Sequence, residues 1–68
     1  MPMQLLRLAR LVFGIPVGAL AARAGVSARE VSRIESGHVR PKPDTLDAID
    51  AAFVALVRAR LHEEGAVS

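Results

Sequence analysis

The chain has no cysteine, no tryptophan and no tyrosine, and its only aromatic residues are Phe13 and Phe53. Without cysteine there is no disulfide framework and no thiolate metal site. The two histidines, His38 and His62, lie far apart without partner ligands nearby and read as solvated surface residues. No metal and no cofactor is therefore expected. No apolar run reaches the ~20 residues that span a bilayer. The N-terminal stretch carries Arg7 and Arg10 inside its apolar pattern and has no small-residue cleavage site, so it does not read as a signal peptide. The expectation is a cytoplasmic protein with no membrane partner. There is no internal repeat and no low-complexity segment. No carboxylate pair, nucleophile–base pair, glycine-rich phosphate loop or ligand cluster is visible, so no enzyme is expected.

What the chain does have is apolar content. Of its 68 residues, 51% are hydrophobic, which argues for a folded domain rather than disorder. That length is one domain, over 1–68, near the lower limit for a self-sufficient core. The net charge of +2 hides an asymmetry. Residues 1–42 hold seven basic residues (Arg7, Arg10, Arg23, Arg29, Arg33, Arg40, Lys42) against Glu30 and Glu35, a balance of +5. Residues 43–68 hold Arg58 and Arg60 against five acidic residues, a balance of −3. A basic half joined to an acidic end is the footprint of a polyanion-binding face.

The basic half coincides with the most informative stretch, Val17 to Gly37. Leu20 and Ala24 lie four apart on one helix face. Gly25 suits a left-handed position after that helix. Ser27 then starts a second helix, and Glu30 three residues on completes a Ser-x-x-Glu capping box. Val31 and Ile34 form the buried stripe, Gly37 stops the helix, and the small Ala21 lets the two helices approach closely. These positions specify a helix-turn-helix at 16–37, with Ser27 to Ser36 as the second helix. Any helical bundle shows some of these spacings; the coincidence of all of them in register is what distinguishes this one.

Around that unit the chain predicts an all-α, compact four- to five-helix domain. Met3 to Phe13 reads as helix 1, with Leu6, Ala9 and Phe13 on one face and Leu5, Leu8 and Val12 on a neighbouring one. Helix 2 begins at Pro16 or Val17 and is weakened by Gly18. Gly37 to Pro43 is a basic loop kept extended by its two prolines. Pro43, Asp44 and Asp47 suit the first turn of helix 4, which turns Leu46, Ile49 and Phe53 inward. With no Gly or Pro from Asp44 to Glu64, that helix either runs to about Glu64 or bends near Ala52 to Ala55 into a fifth. Met1-Pro2 reads as a short leader and Gly65 to Ser68 as a frayed tail.

The stretch resembles the lambda-repressor-like fold, the Cro and phage-repressor (XRE-type) helix-turn-helix family. The resemblance covers roughly 6–53 and rests on Leu6-x-x-Ala9-Arg10, Gly14-Ile15, Leu20-Ala21-x-x-Ala24-Gly25-Val26-Ser27, Val31-Ser32-x-Ile34-Glu35-x-Gly37, Pro41 and Leu46-x-x-Ile49. It implies sequence-specific binding of double-stranded DNA, transcription regulation, and a bacterial or phage-encoded, nucleoid-associated protein. It places base reading at Ala28, Arg29, Ser32 and Arg33. The chemistry agrees, since an Arg fork matches guanine O6 and N7 while Ala28 could only touch a thymine methyl. Phosphate contacts fall at Val17 and Gly18, at Ser27, and at His38, Arg40 and Lys42. The match at helix 2 is poor: Pro16-Val17-Gly18-Ala19 stands where the family often has Ser-Gln, leaving only backbone N–H groups there. The resemblance also implies a structural ion pair between Arg10 and Glu35.

The competing class is a protein-interaction module of the same fold, an antitoxin or antirepressor with a protein partner. A second apolar stripe at Val54, Val57 and Leu61, within a C-terminal segment of about 54–64, points to a homodimer or partner surface, because the small core cannot readily bury both stripes.

Overall fold

The computed structural model describes residues 3–66, with side chains described for 5–63. It is all-helical, with four helices: α1 (Met3–Val12), α2 (Val17–Ala24), α3 (Ala28–Glu35) and α4 (Pro43–Ala66). The expected leader Met1-Pro2 and the last two residues, Val67 and Ser68, lie outside the described residues.

Each short helix ends where the sequence provides a residue suited to stopping it. After α2, Gly25 adopts φ +76° and donates to Ala22 O, while Val26 N–H reaches back to Ala21 O at 3.0 Å. After α3, Gly37 at φ +83° donates to Ile34 O and His38 N–H to Arg33 O at 2.9 Å. Both are Schellman closures, in which a left-handed residue lets two amides satisfy the last helical carbonyls. The α1–α2 connection uses the same pair of bonds, Gly14 N–H to Leu11 O and Ile15 N–H to Arg10 O. There the chain turns by 111° between Leu5–Val12 and Val17–Ala24.

Among the described residues eight form the buried core: Leu6, Ile15, Leu20, Ala21, Val31, Ile34, Ile49 and Ala52. Every helix contributes, which a chain this short requires, because α2 and α3 alone are too short to be stable in water. Fully burying each large aliphatic side chain contributes roughly 1.5–3 kcal/mol. α2 packs against both α3 and α4, and α1 packs against α3. Phe13 meets Phe53 edge-to-face, with ring centroids 6.4 Å apart and planes at 76°.

The structure corrects several expectations. There is no fifth helix among the described residues: α4 is continuous over 24 residues, as a stretch of good helix formers without Gly or Pro would be. It continues through Gly65 and Ala66, so these two are helical rather than a frayed tail. Its continuity also moves Val57. Residues 49, 53 and 57 form one i, i+4 row, so Val57 packs against the core beside Leu56 instead of facing outward. Val54 and Leu61 do face outward, at 46% and 52% exposure. Leu46 is only partly buried, and the fully buried position in the first half of α4, besides Ile49, is Ala52. α1 ends at Val12, one residue early, and α3 at Glu35, with Ser36 as its C-cap.

The outer face of α1 is more apolar than foreseen, because Leu11 joins Leu5, Leu8 and Val12 among the exposed large hydrophobics. The molecule measures 42 × 19 × 19 Å, and a 24-residue helix at 1.5 Å per residue accounts for the long axis. Among the described residues no single helix is long and apolar enough to cross a membrane.

Gly25→Ala tests the turn in isolation. A Cβ there would meet nothing within 4 Å, so the whole cost is conformational. The expected loss is about 1–2 kcal/mol, the ordinary penalty for a side chain in the left-handed region, read as a lower melting temperature.

Candidate nucleic-acid interface

The candidate interface is built on α3, and its orientation is set from within. Val31 and Ile34 point into the core, and so does Glu35, which is 6% exposed. Arg10, 9% exposed, comes from α1 to meet it. Arg10 Nε donates to Glu35 Oε2 and Arg10 Nη2 to Glu35 Oε1, both at 3.0 Å. The remaining Nη1 donates to Ile15 O at 3.0 Å. This is a bidentate, charge-assisted pair with a third bond to the backbone, the geometry in which arginine binds a carboxylate most strongly. The structure thus joins Arg10 and Glu35, which lie 25 residues apart in the chain.

With those three side chains inward, the opposite face of α3 is turned to solvent. Ala28, Arg29, Ser32 and Arg33 are all exposed there. The face starts from a firm cap: Ser27, with extended backbone (φ −79°, ψ 150°), accepts from Glu30 N–H at 3.0 Å. Only this hydroxyl half of the capping box is among the described hydrogen bonds. Arg29, Glu30 and Arg33 line a groove of about 300 Å³ together with Ser27 and Val39. Val39 belongs to the loop after α3, so that loop lies alongside the outward face.

The loop residues His38, Arg40 and Lys42 are exposed. Neither Arg40 nor Lys42 makes an ion pair among the described residues, where the pair present is Arg10–Glu35. His38 is partly committed: its Nδ1 lies 2.7 Å from Ser36 Oγ, and that hydroxyl is also 3.2 Å from Arg33 O. The start of α2 supplies less. Pro16 is its N-cap, with extended backbone and no side-chain capping bond; Val17 is half-buried and Gly18 exposed. Only backbone N–H groups are offered there, the arrangement that binds anions without a side chain.

A family model described as a helix-turn-helix domain matches residues 3–62. The chain belongs to the helix-turn-helix domain family. Its fold and its α2–turn–α3 unit agree with the lambda-repressor-like resemblance read from the sequence. Neither a curated protein nor a solved structure matches the chain. Helix-turn-helix membership points to a DNA-binding regulator and to a family that is typically non-enzymatic. Among the described residues no group of three or more His, Cys, Asp or Glu could hold a metal.

The sequence reading did not single out Val39 as part of this surface, because an isolated valine in a proline-bounded loop carries no periodic signal. Glu30 carries a sequence signal only for the helix cap and for the charge balance, and neither places it on this surface.

The ion pair is tested by a double-mutant cycle on Arg10→Met and Glu35→Leu. Each single variant leaves a buried charge without its partner and should lose about 3–5 kcal/mol in denaturant unfolding. The double variant should recover much of that, because two apolar side chains replace both charges. A double variant as damaged as the sum of the singles would show that the two residues are not coupled.

Proposed function

We propose that this helix-turn-helix domain is a sequence-specific double-stranded DNA-binding transcriptional regulator that places α3 in the major groove. The observation that carries this reading is the outward face of α3. Two exposed arginines one helical turn apart, Arg29 and Arg33, stand beside a basic loop, on a helix whose roll is set by a buried ion pair. Arg29 and Arg33 read guanine edges, and Ser32 and Ala28 complete the face. Arg40, Lys42 and His38, with the backbone at Val17, Gly18 and Ser27, hold phosphates and fix the register.

The contributions separate in a binding titration over site variants and salt. Arg29→Ala and Arg33→Ala should each lose about 1–3 kcal/mol of discrimination at one base pair. Arg40→Ala and Lys42→Ala should instead weaken all sequences about equally and make the salt slope shallower by about one unit. An Arg29→Ala protein with unchanged site preference would overturn the assignment of α3.

The domain acts as a homodimer on a palindromic site, with two recognition helices about 34 Å apart. Support comes from unpartnered apolar surface: Leu5, Leu8, Leu11 and Val12 on α1, and Val54 and Leu61 on α4, are 46–73% exposed. A soluble monomer seldom leaves so many large apolar side chains exposed on two helices, and a weak phosphate grip at α2 gives doubling a functional reason. The α1 face also favours a second reading, an antitoxin- or antirepressor-like module that holds another protein. Sedimentation at micromolar concentration decides between them. The wild type should be dimeric and Val54→Asp/Leu61→Asp monomeric. A wild type that stays monomeric, both free and on a palindromic duplex, would remove the dimer and leave the apolar face to a different protein.

A further inference from the structure

Glu30 is the one acidic side chain lining the groove beside the two arginines of α3. The N-terminal cap uses its backbone and leaves its side chain out: Glu30 N–H donates to Ser27 Oγ, and the carboxylate makes no hydrogen bond or ion pair among the described residues. It is exposed, and the groove of about 300 Å³ that it lines is also walled by Arg29, Arg33 and the half-buried Val39.

Such a carboxylate is a liability on a surface that meets a polyanion. Against a phosphate it is repulsive, and a duplex seated on the groove that it shares with Val39 would remove part of its water. A charge desolvated without a partner is costly, so the carboxylate must meet a donor or oppose binding. The major groove offers two base donors, the N4 amino group of cytosine and the N6 amino group of adenine. Adenine carries the N7 acceptor beside N6, and that lone pair repels a carboxylate. Cytosine carries no acceptor of its own on the major-groove side of N4.

We propose that Glu30 is a specificity-determining residue whose carboxylate accepts from cytosine N4 at the base pair next to the one read by Arg33. At sites without that donor it repels the duplex. This assignment rests on α3 entering the major groove as argued above. It makes the interface a mixed-charge reader in which two cations supply attraction and one anion supplies rejection.

The test is selection of bound sites from a random duplex library at fixed salt, with the full chain as wild type, Glu30→Gln and Glu30→Ala. Melting curves run alongside; the cap survives in both variants because it uses the backbone N–H of residue 30. The wild type should select cytosine at one position per half-site. Glu30→Gln should select adenine there, because an amide both accepts from N6 and donates to N7, with a shift of about tenfold between the two bases. Glu30→Ala should relax that position, and both variants should bind random-sequence DNA more tightly than the wild type. If Glu30→Gln selects the same base as the wild type at every position, the assignment is overturned. A lower melting temperature with unchanged selection would do the same, since it leaves Glu30 only a helix-dipole role. A wild type that selects no sequence at all removes the major-groove reading itself, and the role of Glu30 with it.

Discussion

The fold depends on one guanidinium. Arg10 uses Nε and Nη2 on Glu35 and Nη1 on Ile15 O, so a single side chain joins the end of α1, the α1–α2 connection and the end of α3. An eight-residue helix held only by Val31 and Ile34 could roll against its neighbours, because apolar contact is non-directional. A planar fork bound to both oxygens of a carboxylate permits far less rotation. The roll of α3 decides which residues face outward, so the presentation of Arg29, Ser32 and Arg33 is set from inside the protein. In a small domain with a net stability of only about 5–15 kcal/mol, an uncompensated charge at that point would be a large fraction of the total.

How much of this was legible in the sequence varies with how local the cause is. The boundaries of α2 and α3 were legible because each rests on one residue with one local role: Gly25 for the left-handed turn, Ser27 for the cap, Gly37 for the stop. The Arg10–Glu35 pair was not legible from pattern, since residues 25 apart carry no periodic relation; only resemblance to the lambda-repressor-like family brought them together. The spacing of three and four groups Val57 with Val54 and Leu61, which treats the chain after Phe53 as starting a new stripe. In an unbroken helix it continues the row of Ile49 and Phe53. Ala52 was missed for a different reason: a small side chain gives little hydropathy signal although it lets helices pack closely.

The candidate site shows the same gradient. The exposed arginines could be placed once the core face of α3 was known, because what is not buried at helical spacing must face out. The groove beside them could not, since its second wall, Val39, comes from a loop whose path no periodicity describes. The weak start of α2 was legible as an absence, and the structure gives it a form: a proline N-cap with no side-chain acceptor. The exposed side-chain cations near this face, Arg40 and Lys42, lie instead in the loop after α3.

The length of α4 has a mechanical consequence. Up to Val57 the helix is packed on the core through Ile49, Ala52, Phe53, Leu56 and Val57, so its amides there open less readily than those of an exposed helix end. Beyond Val57 the described link back to the body is Arg60 Nη2 donating to Gly14 O at 3.0 Å, an exposed bond to the carbonyl of a turn. The helix is thus continuous but unequally supported: its packing on the globular body runs to Val57, and residues 58–63 are exposed. That exposed stretch depends more on its own backbone hydrogen bonds than on packing, and its local opening would leave the contacts that hold α3 in place.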